Sequence, residues 1–142
     1  MSAIHVQGID HVVLRVTDVG RALDFYCDVL GCQVERSVED IGLVQLRAGS
    51  ALIDLVDVAG ELGRAGGAPP GAGGRNVDHL ALRIEFFDED EIQAHLAAHG
   101  VRLGVVAMRY GAEGEGPSMY IADPDGNGVE LKGPPRGETT GE

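Results

Sequence analysis

Tryptophan is absent from this 142-residue chain, cysteine occurs twice, and 11 basic residues stand against 23 acidic ones. Each shortage excludes something. Two cysteines cannot build a disulfide framework, and a chain of this length needs none, because one compact domain of that size buries roughly two thirds of the surface an unfolded chain exposes. Cys27 lies in a helical pattern beside Phe25 and Tyr26. That is the place of a buried thiol, so two reduced cysteines are expected rather than a bridge or a redox pair. The formal charge of -12 repels phosphate backbones and anionic lipid, which argues against nucleic acid and membrane as partners. The acidic excess at Glu89, Asp90, Glu91, Glu113 and Glu115 reads as a solvated face. No stretch approaches the ~18 apolar residues of a membrane-spanning helix. Residues 1–8 lack the basic start and apolar run of a signal or transit peptide, so a cytoplasmic location is expected.

An internal repeat is present. Ile9-Asp10-His11-Val12-Val13-Leu14-Arg15-Val16 lies over Val77-Asp78-His79-Leu80-Ala81-Leu82-Arg83-Ile84 at an offset of 68 residues. Asp, His, Leu and Arg coincide, and every other position stays apolar. Both copies alternate as strands do, with His11, Val13 and Arg15 on one face and Val12, Leu14 and Val16 on the other, which must be the core face. A helix follows each. Thr17 or Asp18 can cap the first, whose Val19, Ala22, Leu23, Tyr26 and Leu30 recur at helical spacing before Gly31 ends it. Asp88 with Glu91, Ile92 with Leu96, and Gly100 repeat the plan. Strand candidates at 33–37, 43–47 and 51–57 follow the first helix, and 102–108, 118–122 and 128–132 follow the second. Each half therefore reads βαβββ. The chain divides into repeat 1 (8–57), a linker (58–76), repeat 2 (77–133) and a tail (134–142). Residues 59–75 carry seven glycines and two prolines, the composition of a linker or mobile loop. The tail has nothing to anchor a core and is expected to be poorly ordered.

His11 and His79 occupy equivalent places, and a pseudo-twofold arrangement of the halves would set both imidazoles around one cavity. The last strand of each half carries a carboxylate in an apolar run, Asp54 in ALIDLV and Glu130 in GVELK. An ionised carboxylate among Leu and Val costs several kcal/mol unless a cation or donor meets it. A metal ion is such a cation. Two imidazoles with one or two carboxylates suit one divalent ion, Zn, Ni, Fe(II), Mn or Co, and the donor types do not choose among them. The bland reading, half-exposed strands with polar residues facing solvent, fits one such residue better than four at matched positions. Arg15 and Arg83 share the histidine face and suit either an anionic substrate group or a neighbouring carboxylate.

The segments GIDHVVLRVTDVGRALDFYCDVLG, NVDHLALRI and MYIADPDGNGVELKG together resemble the vicinal oxygen chelate superfamily of glyoxalases, extradiol dioxygenases and bleomycin-resistance proteins, over residues 8–133. The resemblance implies an α+β fold in which two βαβββ repeats form a curved mixed sheet around a metal-binding cavity. It carries His11, His79 and Glu130 onto metal-ligand positions. Asp54 matches a position where glyoxalase I has Glu; one methylene shorter, it is the weakest ligand. A metal-dependent lyase or isomerase of the glyoxalase I type is implied, acting on a small substrate with adjacent oxygens, with Glu130 or Asp54 as the proton carrier. The other readings are an Fe(II) extradiol dioxygenase and a metal-free drug-binding protein. A homodimer is also implied. RYGAEGEGPSMYIADPDGN suits a mobile lid or a plain hairpin, and Asp123-Pro124-Asp125-Gly126-Asn127 reads as a turn.

Overall fold

A computed structural model describes residues 3–136. The chain forms two compact units that divide between Pro70 and Gly71.

In the first unit, β1 (His11–Val16) leads into α1 (Val19–Leu23), followed by β2 (Gln33–Val38), β3 (Leu43–Ala48) and β4 (Ala51–Asp57). The sheet order is β1-β4-β3-β2, with β1 parallel to β4 and the other pairs antiparallel. The second unit repeats it. Its β5 (His79–Arg83), α3 (Glu89–Ala98), β6 (Val106–Gly111), β7 (Gly114–Ala122) and β8 (Gly128–Lys132) give the order β5-β8-β7-β6. Both units are thus βαβββ, and each has its own four-stranded mixed sheet. Among the described residues no helix is long and apolar enough to cross a membrane.

The faces follow the pleat. Leu14, Val16, Leu46, Ile53 and Leu55 are buried in the first unit, as are Met119, Ile121, Val129 and Leu131 in the second, all on the face opposite the histidines. Asp18 caps α1 by accepting from Arg21 N, and Asp88 caps α3 by accepting from Glu91 N. The first helix does not run uniformly to Gly31. It widens into a π-helical turn over Asp24–Val29, with Leu30 N donating to Phe25 O and Cys32 N to Tyr26 O. The wider turn rotates successive side chains by less than an α-helix does, and the consecutive Phe25 and Tyr26 are both buried, edge to face with centroids 5.0 Å apart. Both cysteines are free, and burial, ahead of the charge of Cys27, pushes the Cys32 thiol up to about 11.

Three stretches need closer description. The stretch 59–75 is not featureless, because α2 (Glu61–Arg64) forms within it and Arg15 donates to the carbonyls of Gly63, Gly67 and Ala68. Gly66 leaves room for that guanidinium, since a Cβ there would overlap it. The strand expected at 102–108 starts later, at Val106, and pairs to Gly111 in a hairpin with β7; Gly104 instead lies against the Tyr120 carbonyl with no room for a Cβ. The glycine-rich segment is therefore a hairpin. In the tail, Arg136 N donates to Glu115 O and the Pro134 carbonyl sits over Gly116, which holds residues 134–136 beside the start of β7. Residues 137–142 lie outside those described.

Candidate metal and substrate site

Register places the same set of polar groups in each sheet. In the first, His11 pairs with Leu52 and Val13 with Asp54, while Gln45 faces Asp54 from β3. In the second, His79 pairs with Gly128 and Ala81 with Glu130, while Tyr120 faces Glu130 from β7. Each carboxylate thus sits two residues beyond its histidine's partner, on the histidine face.

Both carboxylates are buried, Asp54 at 4% and Glu130 at 6% exposure. Gln45 Nε2 donates to both oxygens of Asp54 at 3.1 Å. The amide is neutral, so it answers the hydrogen-bonding need of Asp54 and leaves its charge. Glu130 has Tyr120 and His79 beside it. The Tyr120 ring lies edge-on to the His79 ring at 5.0 Å, with the Arg109 guanidinium 4.7 Å from its centroid. Partial burial, then the charge of Glu130 and its hydrogen bond to the phenol, pushes the Tyr120 hydroxyl up.

The two histidines are oriented alike. His11 Nδ1 is 2.7 Å from Asp10 Oδ2, and His79 Nδ1 is 2.6 Å from Asp78 Oδ1. An ionised carboxylate only accepts, so Nδ1–H donates in both cases and Nε2 is left to carry the lone pair of the neutral ring. This is the arrangement that presents a histidine to a metal ion. In the second sheet Nε2 then meets Glu130 Oε1 at 3.3 Å. Two acceptors at that distance repel unless a proton or a metal ion lies between them. Asp78 is held below the usual carboxylate range, chiefly by its hydrogen bond to His79 and then by the charge that ring carries when protonated.

Within each sheet the donors are of types that suit a divalent ion, and among the described residues no three His, Cys, Asp or Glu side chains form one cluster. Arg15 is engaged by linker carbonyls. Arg83 is paired with Glu113, Nε to Oε1, at 2.5 Å and also donates to the Ile84 carbonyl. The Asp123 to Asn127 segment is a turn: Asp123 Oδ1 accepts from the backbone N–H of Asp125 and Asn127, and Gly126 takes φ +84°.

Asp10, Asp78, Gln45 and Tyr120 are the additions to the residues singled out from sequence. The two aspartates had a signal, since both stand in the repeated Asp-His pair. Gln45 and Tyr120 had none, because only strand register brings them opposite the carboxylates.

His11 provides a check on this geometry. The hydrogen bond to Asp10, followed by the charge of Asp54, raises its pKa above the ordinary value of 6.5. A raised pKa means the contact stabilises the fold below the unfolded-state value and is lost as pH rises through the folded one. In metal-free protein we expect an NMR titration of His11 to fall above 6.5 and to return towards it in Asp10→Asn, which should destabilise the fold more at pH 6 than at pH 9. An unmoved titration would show that Asp10 does not hold the ring.

The whole strand, helix and sheet pattern has counterparts. The chain matches the Glyoxalase/Bleomycin resistance protein/Dioxygenase superfamily over residues 8–131, and it belongs to that superfamily. It is 27% identical over 133 residues to a catechol-2,3-dioxygenase of Bacillus subtilis (strain 168), covering 92% of this chain and 43% of that protein. It is 33% identical over 131 residues to the glyoxalase domain-containing protein RDO1 of Mycosarcoma maydis, covering 90% and 69%. The chain thus spans under half the length of the first of these relatives. In structure it is similar to an integron cassette protein from the mobile metagenome of V. cholerae, with a TM-score of 0.71, 27% identity, and coverage of 93% of this chain and 98% of that one.

Proposed function

We propose that the chain is a metal-dependent lyase or isomerase of the glyoxalase I kind, acting as a homodimer on a small substrate with adjacent oxygens. The proposed ligands of one divalent ion are His11, His79 and Glu130. The observation that carries this reading is the approach of His79 Nε2 to Glu130 Oε1 at 3.3 Å with Nδ1 held by Asp78, a contact that needs a proton or a metal ion between the two atoms. Once bound, the ion supplies a Lewis acid that stabilises negative charge developing on a substrate oxygen.

The chain's own residues supply the remainder. Asp10 and Asp78 fix the tautomer and aim of the two imidazoles. Glu130 or Asp54 carries a proton between adjacent carbons of the substrate. Asp54 is the shorter, and Gln45 anchors it from both oxygens, which suits a base or a water-mediated contact better than a full ligand. Arg15 and Arg83 are proposed to face an anionic group of the substrate, and of the two Arg83 is the readier, because it need exchange only the exposed Glu113.

The test is turnover. Hemithioacetals and 2-oxo thioesters should be converted with Ni, Mn or Zn and not after chelation. A dioxygenase reading has support in the 27% identity to a catechol-2,3-dioxygenase, and His11, His79 and Glu130 make the two-histidine, one-carboxylate set that suits Fe(II). Oxygen uptake with catechols and Fe(II), without conversion of the first panel, would replace the lyase reading. If no metal supports turnover on any substrate and an apolar drug binds the metal-free protein, both give way to a binding module.

A further inference from the structure

The chain has a single lysine, Lys132, and it is buried at 8% exposure. A lone lysine is more often found at the surface, because an ammonium taken from water without a counter-charge costs several kcal/mol. Among the described residues no carboxylate pairs with it. Among the same residues its hydrogen-bond acceptor is the Gly114 carbonyl, 3.3 Å from Nζ. Two of three N–H donors therefore lack an acceptor among the described residues.

The surroundings are shaped around this side chain. Gly111 and Gly116 of the β6–β7 hairpin leave it space, since a Cβ at Gly111 would come within 3.1 Å of Cε and one at Gly116 within 3.1 Å of Nζ. On the sheet, Lys132 pairs with Arg83 on one side and Ser118 on the other, and it lies two residues beyond Glu130 on the same face. Arg109 adds a third cation by donating to Ser118 O and Oγ. Among the described residues the carboxylate engaging these three cations is Glu113, on Arg83, at the tip of the hairpin whose Gly114 carbonyl meets Lys132. In a chain of net charge -12, this is a local excess of positive charge facing one short loop.

We propose that Lys132 and Arg83 form a carboxylate-binding subsite beneath the β6–β7 hairpin tip, and that Glu113 occupies it until a carboxylate-bearing small molecule takes its place. An incoming carboxylate would take over the planar fork of Arg83 from Glu113 and give the Lys132 ammonium the acceptor it lacks. That this molecule is the substrate rests on the proposed function, which puts Glu130 in the adjacent row. The subsite itself needs no metal.

Because Lys132 is the only lysine, protein labelled with 13C-lysine gives one Hε–Cε signal to follow. Metal-free protein should be titrated with malonate, with malonamide as the neutral analogue, and with inorganic phosphate. We expect malonate to shift the Lys132 signal saturably, malonamide to leave it in place and phosphate to bind more weakly than malonate. Glu113→Gln should tighten malonate binding by roughly threefold or more, as the internal competitor is lost. Lys132→Met removes the charge at similar length and should weaken binding by roughly tenfold or more, followed through the Gly114 and Gly116 amides. It should not lower the melting temperature, since an uncompensated buried charge is removed. Equal malonate affinity in Lys132→Met, an equal response to malonamide, or tighter binding of phosphate would overturn the subsite. Metal content of wild type and Lys132→Met separates the two readings: malonate binding in a protein that takes up no metal sinks the metal reading alone, and metal uptake without malonate binding sinks the subsite alone.

Discussion

Glu130→Ala should lower metal affinity by roughly a hundredfold or more, because it removes the one anionic ligand of the proposed set and leaves His79 Nε2 without the group 3.3 Å away. His79→Ala and His11→Ala should do the same. Glu130→Gln should keep more metal than Glu130→Ala while losing turnover, since an amide oxygen can ligate but cannot take a proton. Asp54→Ala should cost less metal than any of these, because Gln45 already holds both its oxygens. Metal titration of the chelator-treated variants decides it. Stoichiometric metal in a His11→Ala, Glu130→Ala double variant would contradict the ligand assignment.

Gly104→Ala should destabilise the chain by about 3 kcal/mol or more, the scale of a severe packing clash. A Cβ at this position would fall within the van der Waals envelope of the Tyr120 carbonyl and also touch the Met119 side chain. Backbone atoms cannot swing aside as the end of a flexible side chain can. Gly71→Ala is the control, with nothing within 4 Å of the added Cβ, and should stay within about 0.5 kcal/mol of the parent. Urea unfolding of both variants measures the difference. A small effect of Gly104→Ala would mean that the segment before β6 is not held against β7. Because Tyr120 faces Glu130, residual folded Gly104→Ala protein should also show a displaced His79–Tyr120 ring pair.

Much of this fold could be read from sequence, for a physical reason. The repeated Asp-His-x-x-Leu-Arg strand fixes which face is apolar, and a period of two leaves no freedom about where the histidines point. The bounds expected for the strands carrying Asp54 and Glu130 coincide with Ala51–Asp57 and Gly128–Lys132, where apolar runs end at charged or turn residues. Elements held by polar or steric detail were harder. The α2 turn is tied down by Arg15 acting on three carbonyls, which leaves no trace in hydrophobic periodicity. The β6–β7 hairpin is rich in glycine, a poor strand former taken alone, and its glycines make room for Lys132 and for the Pro134 carbonyl, a need set by residues 16 or more positions away. Gln45 and Tyr120 became visible only with the register, since nothing in either residue's own neighbourhood points to a carboxylate on the next strand.

The central claim is that the histidines and carboxylates of the two repeats serve a divalent ion. Its most direct test is metal analysis by mass spectrometry of protein purified without chelators, and again after incubation with Ni, Mn, Zn or Fe(II) and desalting. About one tightly held ion per chain is expected, with affinity falling as pH drops below about 6 and protons compete for the imidazoles. A wild-type protein that retains no stoichiometric ion from any of the four at neutral pH would contradict the account.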